Sequence, residues 1–275
     1  MDLPVMTLPA GELLAEIVAN DALNAEYRRL RVRCGAPATA ARPGQFFQLL
    51  CPASEAGTPY LRRPMSVYAA DPAAHEVAFL FKVTGLGTRG LAMVRPGDRL
   101  DLFGPLGNGF SLDPPGGVPW RHIVAVGRGA GLATLAPLGA AARARGIGVS
   151  AILSARRPEL MVSDDTFRAQ GAAVFAVTDA EGTSGPAHVE RLLRGLIAEG
   201  RCDAFFTCGS ARLLGVLRRL GREFGIPGQV ALEQQMACGL GMCFCCVRDF
   251  LVDGEVIHRR VCYEGPVFDV QEALG

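Results

Sequence analysis

The stretch His122-Ile-Val-Ala-Val126, followed by Gly127-Arg128-Gly129-Ala130-Gly131, indicates the fold class of the second half of the chain. Four consecutive apolar residues after His122 predict a buried strand, and the glycine turn leads directly into a helical stretch at 132–145. Dinucleotide-binding folds hold a pyrophosphate in this context, although the strict G-x-G-x-x-G string is absent here. The candidate cofactor-binding residues of the turn are Gly127, Gly129 and Gly131.

Strands and helices continue to alternate after this turn. Apolar runs predict strands at 148–153, 172–177 and 204–208, and helical periodicity occupies 189–199 and 213–224. This alternation predicts parallel βαβ units and a doubly wound α/β sheet. Cys208 and Gly209 end the last strand at the carboxyl edge, where open α/β sheets bind ligands. Cys208 could face a nicotinamide there, or it could be a small buried apolar residue.

The sequence before residue 113 has a different rhythm. Short runs rich in β-branched and aromatic residues, separated by glycine and proline turns, extend from Ala15 to Leu112. Runs at 46–50, 65–68, 77–83 and 99–103 are typical of a small antiparallel barrel or sandwich. The segment Asp113-Pro-Pro-Gly-Gly-Val-Pro119 is dense in residues that interrupt regular structure, so it predicts a linker between two domains.

Two motifs in this N-terminal half could bind a phosphorylated cofactor. In Arg62-Arg63-Pro64-Met65-Ser66, an arginine and a hydroxyl three residues apart can hold a pyrophosphate and the edge of a flavin. An exposed strand end can carry the same residues. In Lys82-Val-Thr-Gly85-Leu-Gly87-Thr88, the glycines and the hydroxyl could present backbone N–H groups to phosphate at a helix start, or form an ordinary glycine turn.

The C-terminal tail is rich in cysteine. Five of the nine cysteines lie within residues 238–262, and four of them have the C-x4-C-x2-C…C spacing of a plant-type [2Fe–2S] site. Gly239 and Gly241 allow the loop to turn its N–H groups toward the sulfurs. Zinc sites favour paired C-x2-C units, so zinc or structural thiols fit this spacing less well. Cys245 lies between two ligands and has no assigned role. The predicted ligands are Cys238, Cys243, Cys246 and Cys262.

The composition argues against several classes of protein. A formal net charge of +1 gives no indication of nucleic-acid binding, and no segment approaches 18 uninterrupted apolar residues, so no membrane span is predicted. Residues 1–10 lack the features of a secretory signal, so the cysteine cluster indicates metal or redox chemistry in a cytoplasmic protein. The sequence shows no paired carboxylates and no Ser/His/Asp set, and we assign no catalytic side chain.

In their order along the chain, these motifs resemble the ferredoxin–NADP⁺ reductase superfamily, and more closely the electron-transfer subunits of NAD-linked dihydroorotate dehydrogenases. The resemblance covers about Ala15 to Ala273, and its most specific parts are Gly104–Phe110 and the tail from Leu232-Glu233 onward. It implies an antiparallel β-barrel FAD domain at 15–114, an α/β doubly wound nicotinamide-binding domain at 120–227 and a [2Fe–2S] subdomain at 228–275.

The resemblance also implies roles for particular residues. FAD would contact the Arg63-Pro64-Met65-Ser66 segment, and Gly87 and Thr88 would hold its pyrophosphate. The glycines of the 127–131 turn would flank the nicotinamide cofactor, with Cys208 and Gly209 close to its ring. The family's cluster ligands map onto the same four cysteines that the spacing selects.

The chain departs from the family pattern at several positions in the nicotinamide half. Arg128 stands where the family usually has Gly, Thr134 where it usually has Pro, and Ser210 where Pro commonly follows Cys-Gly. No acidic residue closes the second strand of the βαβ region. Arg156 and Arg157 follow that strand instead, and they could accommodate a 2′-phosphate. NAD is therefore the cofactor that the family implies, and NADP stays open.

The expected function follows from what each cofactor can carry. Nicotinamide exchanges hydride and a [2Fe–2S] cluster takes one electron, so a flavin must lie between them. The chain offers no domain for an organic substrate. The resemblance therefore implies a flavin-containing catalytic dehydrogenase subunit as partner, in a heterotetramer, with a role in pyrimidine biosynthesis. The alternatives are a reductase component for another dehydrogenase or oxygenase, and a redox-sensing flavoprotein without turnover.

Overall fold

The N-terminal half of the computed structural model, which describes residues 10–274, is a closed antiparallel barrel of six strands. The strands are β1 (Gly11–Ala22), β2 (Tyr27–Arg33), β3 (Phe46–Leu49), β4 (Arg63–Asp71), β5 (Glu76–Lys82) and β6 (Arg99–Leu106). They are arranged as β1-β2-β5-β4-β3-β6. Two helices accompany the barrel, α1 (Ala36–Thr39) and α2 (Leu86–Met93). The predicted antiparallel barrel is confirmed.

The barrel is filled because alternate side chains of each strand point inward. Phe47 and Leu49 of β3 are completely buried, and the ring of Phe47 meets that of Phe79 edge to face at 5.6 Å. Leu30 and Leu102 complete the same apolar interior. The side chains of β3 that point outward are therefore free to face the rest of the molecule.

The second half of the chain contains the predicted doubly wound sheet. Its first elements are β7 (His122–Arg128), α3 (Gly131–Ala144), β8 (Gly148–Ala155), α4 (Asp164–Ala169), β9 (Ala173–Thr178), α5 (Pro186–Ala198), β10 (Ala204–Cys208) and α6 (Ala211–Phe224). Strands β10, β7, β8 and β9 are parallel neighbours. Ile123 and Ala125 pack in the cluster that contains α3, whereas Val124 and Val126 pack in the cluster that contains α5 and α6. Helices therefore cover both faces.

The C-terminal segment contributes both to this sheet and to a separate hairpin. Its strands are β11 (Gly228–Ala231), β12 (Val247–Val252), β13 (Glu255–Arg260) and β14 (Val267–Asp269). β11 lies beside β10 in parallel and β14 closes the edge in antiparallel, while β12 and β13 pair only with each other. The sheet thus continues past the domain boundary predicted at residues 227 and 228. Gly275, the last residue of the predicted third domain, lies outside the described residues. Residues 1–9, which belong to the segment predicted to lack a secretory signal, also lie outside them.

The barrel and the α/β sheet are in direct contact. The hydroxyls of Tyr68 on β4 and Thr166 on α4 lie 2.7 Å apart, and Tyr27 and Tyr68 share an apolar cluster with Trp120. The linker at 113–119 contains neither strand nor helix, as predicted. Between residues 10 and 274, no helix is both long enough and apolar enough to cross a membrane.

Candidate functional site

The four predicted cluster ligands lie in one loop and one turn. Cys238, Cys243 and Cys246 come from the loop that precedes β12, and Cys262 follows β13. The β12–β13 hairpin therefore brings the fourth cysteine back to the loop, as the sequence predicts. Phe250 of β12 packs this hairpin against the sheet, because its ring centre lies 4.4 Å from that of Phe268 on β14.

The thiols of these cysteines form two pairs. Cys238 is hydrogen-bonded to Cys243, and Cys246 is hydrogen-bonded to Cys262. Two pairs suit two irons, because bridging sulfides complete the coordination of each iron and leave two thiolates to be supplied per iron. The donor set therefore fits a [2Fe–2S] cluster.

Backbone N–H groups already point at the sulfurs. Leu240 N–H donates to Cys238 Sγ at 3.3 Å, Gly241 N–H to Cys262 Sγ at 3.1 Å, and Cys262 N–H to Cys246 Sγ at 3.4 Å. Burial raises the pKa of Cys238, but donation from the backbone of Leu240 and its neighbours outweighs burial and brings the pKa to about 7. These donors stabilise negative charge on sulfur, which is the state that iron requires.

Two features of the loop explain its composition. Gly241 has φ +78°, and a Cβ there would lie 2.8 Å from the Tyr263 side chain, so only glycine allows the close turn. Cys245 is exposed, and its thiol lies 3.8 Å from the carbonyl oxygen of Gln235, outside the two pairs. That Cys245 is not a ligand stays a prediction.

A cavity of about 280 Å³ lies beside the barrel, next to the cluster loop. Met65 and Ser66 of β4 line one side, and Leu232, Glu233 and Met236 line another. Pro64 also borders this cavity. The apolar lining with a few polar groups is typical of a cofactor site and fits a flavin ring.

The predicted pyrophosphate residues meet at the start of α2. A Cβ on Gly87 would lie 3.0 Å from the Arg63 side chain, so the guanidinium passes directly over the first turn of the helix. Free N–H groups at a helix start and a nearby arginine fit a pyrophosphate. The Thr88 hydroxyl accepts N–H donation from Thr84 at 2.9 Å and from Gly85 at 3.1 Å. Thr88 therefore shapes the turn, a use that the sequence did not indicate.

The two glycine turns of the nicotinamide half pack backbone against backbone. A Cβ on Gly131 would lie 2.6 Å from the carbonyl group of Cys208, and Gly209 has φ +89° beside the carbonyl of Arg128. Gly129 lies near the Tyr27 hydroxyl, and Gly127 lies under Leu132 and Leu135 of α3. The structure thus brings together all five residues predicted for this half, which are Gly127, Gly129, Gly131, Cys208 and Gly209.

Cys208 is 2% exposed at the end of β10. Burial, and then the Glu233 carboxylate, raise the pKa of this thiol, while a hydrogen bond with Thr134 lowers it. Cys208 Sγ lies 4.0 Å from the nearer carboxylate oxygen of Glu233. The thiol is therefore neutral, and it lies between the nicotinamide turn and the cavity that Glu233 lines.

Two site residues were not assigned from the sequence. The Thr134 hydroxyl donates to Ser66 Oγ at 2.9 Å and so connects α3 with the flavin cavity. Glu233 lines both the flavin cavity and the cleft beside Gly209. Its side chain is exposed to solvent, yet the protein atoms around the carboxyl group desolvate it enough to raise its pKa. The Leu232-Glu233 pair at the start of the tail was the available signal for Glu233.

Arg128 and Arg156, two arginines that depart from the family pattern, each form an ion pair with an acidic side chain. Arg128 leaves the glycine turn and forms two hydrogen bonds to Asp179, at 2.6 and 3.1 Å, and a third to Ser154 at 2.8 Å. The hydrogen bonds from Arg128 to Asp179, with a further one from Ser184, lower the pKa of Asp179 to about 2. Arg156 pairs with Glu26 of the barrel. Neither arginine blocks the turn.

A closed barrel beside a doubly wound sheet, with a flavin cavity and a four-thiolate loop, defines an oxidoreductase of the ferredoxin reductase type that carries a flavin and an iron–sulfur cluster. Comparison with known proteins agrees. Residues 233–274 match the iron–sulfur cluster binding domain of dihydroorotate dehydrogenase B. The chain belongs to the family of electron transfer subunits of dihydroorotate dehydrogenase B (NAD(+)). The predicted cofactors FAD, [2Fe–2S] and NAD are those of this family.

Individual relatives show how far the similarity extends. The subunit from Desulforamulus reducens is 33% identical over 231 residues, covering 84% of this chain and 86% of the relative. The one from Geobacillus thermodenitrificans is 34% identical over 235 residues, with the same coverage. Among solved structures, an NADH-dependent reduced ferredoxin–NADP oxidoreductase matches with a TM-score of 0.78 and 27% identity, covering 96% of this chain and 90% of that chain.

Proposed function

We propose that this chain transfers electrons between NAD(H) and the catalytic subunit of a dihydroorotate dehydrogenase, in a cytoplasmic heterotetramer that serves pyrimidine biosynthesis. The names of its relatives support this assignment. Bound FAD supplies the conversion between hydride transfer and single-electron transfer, and the bound cluster supplies single-electron transfer. We also propose that the barrel, the α/β sheet with β11 and β14, and the cluster loop with its hairpin act as three functional units.

The proposal depends above all on one short segment that the flavin site and the cluster site share. This segment, from Leu232 to Cys238, lines the flavin cavity at its start and supplies the first cluster ligand at its end. Met236, which lines the cavity, is only two residues from Cys238. The two sites are therefore adjacent, an arrangement suited to direct electron transfer between them.

In this proposal the residues of the chain bind and orient the FAD and the nicotinamide cofactor. We assign the FAD pyrophosphate to Arg63 and the first turn of α2, and the edge of the flavin ring to Met65 and Ser66. The hydroxyl of Thr134 donates to Ser66 and fixes its orientation. On the opposite side, the turn at 127–131 and the Cys208-Gly209 turn form the wall against which nicotinamide would lie. The carboxyl group of Glu233 lies between the two sites.

The cluster loop also has the character of a docking surface. Met242 is 77% exposed and Phe244 is 62% exposed, directly between the predicted ligands. The guanidinium of Arg260 lies 5.2 Å from the centre of the Phe244 ring and holds it in place. One-electron transfer requires a short distance between donor and acceptor, so we propose that the catalytic subunit covers this loop.

A second candidate function has structural support. The similarity to the NADH-dependent reduced ferredoxin–NADP oxidoreductase covers nearly the whole of both chains. The chain could therefore deliver electrons to a different flavoprotein partner through the same two sites. The two candidates differ only in the acceptor, so a test of acceptors separates them.

The test uses the purified chain with its cofactors. Alone, it should reduce ferricyanide with NADH and should not oxidise dihydroorotate. Addition of a dihydroorotate dehydrogenase catalytic subunit should produce NADH from dihydroorotate and NAD⁺. Cys262→Ser should lose this coupled reaction, and Cys245→Ser should keep it. Oxidation of dihydroorotate by the isolated chain, or equal coupled activity in the two variants, would contradict the proposal.

A further inference from the structure

The nicotinamide half lacks an acidic residue in its expected place. Dinucleotide folds that use NAD usually place an Asp or Glu at the end of the second strand, where the carboxylate accepts the ribose 2′-hydroxyl, whereas a nearby arginine accommodates the 2′-phosphate of NADP. Here β8 ends at Ala155, and Arg156 and Arg157 follow. The local sequence is therefore of the NADP type in a family whose members are named for NAD.

The structure supplies a carboxylate at this position from the barrel. Glu26, the residue before β2, accepts two hydrogen bonds from Arg156, at 2.5 and 2.8 Å. The ammonium group of Lys82, at the end of β5, lies 2.7 Å from the same carboxylate. A single acidic side chain thus engages the arginine after β8 and a lysine of the barrel together.

The position of Glu26 is fixed by its backbone. Its N–H donates to Asn24 Oδ1 at 3.0 Å, and its carbonyl oxygen accepts from Val83 N–H at 2.9 Å. Hydrogen bonding to Lys82 and then to Arg156 lowers the pKa of Glu26 against the opposing effect of burial. The side chain is therefore ionised near neutral pH and held between the two cations.

The carboxylate borders the nucleotide cleft. A cavity of about 280 Å³ has Glu26, Lys82 and Arg156 at one end, and Gly129 and Gly209 of the two glycine turns in its wall. A dinucleotide bound over these turns would place its adenosine ribose toward the end of β8. Glu26 is thus within the part of the cleft that distinguishes NAD from NADP.

We infer that Glu26 selects NAD over NADP by occupying Arg156 and Lys82 with a fixed negative charge. This inference rests on the proposed function, because it assumes that a nicotinamide dinucleotide binds this cleft. A 2′-phosphate that approached Arg156 would lie beside the Glu26 carboxylate, and the two negative groups would repel each other. The phosphate would also have to share the Arg156 guanidinium with that carboxylate. A ribose 2′-hydroxyl would instead find an acceptor.

The test compares NAD⁺ and NADP⁺ binding to the full chain with FAD and cluster bound, followed by the difference spectrum of the flavin. Glu26→Gln keeps the size of the side chain and removes its charge. We expect the Kd for NADP⁺ to fall at least tenfold and the Kd for NAD⁺ to change less than about threefold. The increase in NADP⁺ affinity should become smaller as salt is added, because screening weakens the attraction of the 2′-phosphate to Arg156 and Lys82.

Two further variants make the result specific. Glu76→Gln removes another barrel carboxylate that pairs with an arginine, Arg31, at 3.2 Å and does not line the cleft, so it should change neither constant. Adding Arg156→Ala to Glu26→Gln should abolish the gain for NADP⁺. An unchanged ratio of the two constants in Glu26→Gln, with NAD⁺ binding intact in the wild type, would overturn the inference alone. A wild-type chain that binds neither dinucleotide would overturn the proposed function and the inference with it.

Discussion

Replacement of Gly131 by alanine tests the packing of the two glycine turns. The added methyl group would lie 2.6 Å from the carbonyl carbon and oxygen of Cys208 and 2.7 Å from the nitrogen of Gly209. Ordinary van der Waals contact begins at 3.4 Å, so the start of α3 and the end of β10 must separate by about 0.8 Å. These atoms belong to the backbone, and rotation of a side chain cannot relieve the overlap.

The size of the effect follows from this displacement. Overpacking of this kind costs about 1–3 kcal/mol, and in a chain of this size about 1 kcal/mol lowers Tm by roughly 2–4 °C. A misplacement of about 1 Å at a reacting centre can reduce a rate by about 100-fold. We therefore expect Gly131→Ala to lower Tm by roughly 2–12 °C and to slow reduction of bound flavin by NADH by about 10- to 100-fold.

The assay combines thermal unfolding with stopped-flow absorbance of the flavin under anaerobic conditions. FAD and iron content should remain at the wild-type level, because neither site contacts Gly131. Gly195→Ala is the matched control. Gly195 lies in α5, and apart from the adjacent helix backbone no heavy atom lies within 4 Å of the position that its added methyl group would take. This variant should therefore gain about 0.5–1 kcal/mol of stability and keep its rate of flavin reduction. A Gly131→Ala protein with wild-type Tm and wild-type flavin reduction would refute the proposed packing of the nicotinamide wall.

Three other variants test separate parts of the site. Cys246→Ser should lose or distort the cluster while Cys245→Ser keeps it, as measured by iron content and by EPR after reduction. Thr134→Val should slow flavin reduction about fivefold, because a hydrogen bond to Ser66 contributes about 1 kcal/mol, and Thr134→Ser should restore the rate. Because hydrogen bonding to Arg128 depresses the folded pKa of Asp179 to about 2, its contribution to stability is present above the unfolded pKa of about 4 and is lost as pH falls toward 2. Between about pH 4 and pH 2, the Tm of the wild type should therefore fall more steeply than the Tm of Asp179→Asn. The difference should be small because the Asp179 side chain is half exposed.

Local sequence patterns predicted much of this fold. The strand at 122–128, the turn after it and the helix that follows are dictated by a short apolar run, glycines and helical periodicity. The spacing of three cysteines in one loop also predicts a ligand set, because it restricts which sulfurs can converge, and that set stays a prediction. The β12–β13 hairpin then determines the position of Cys262.

Contacts between distant parts of the chain could not be predicted in this way. Glu26 and Arg156 are separated by 130 residues, and Ser66 and Thr134 by 68, so nothing in either local sequence indicates the pairing. The same reason explains why β11 and β14 were assigned to the cluster subdomain. Their addition to the sheet depends on the packing of Phe268 and Val230, not on a pattern within the tail.

The path of electrons through the chain is best tested by an anaerobic titration of the purified full chain with NADH, followed by flavin absorbance and EPR. Iron and sulfide should each be present at about two per chain, by likeness to the family. NADH should bleach the flavin and produce the EPR signal of a reduced [2Fe–2S] cluster in the wild type and in Cys245→Ser. Zinc in place of iron, or a flavin that NADH reduces with no paramagnetic cluster signal even after dithionite, would contradict the claim that electrons pass from nicotinamide through flavin to this loop.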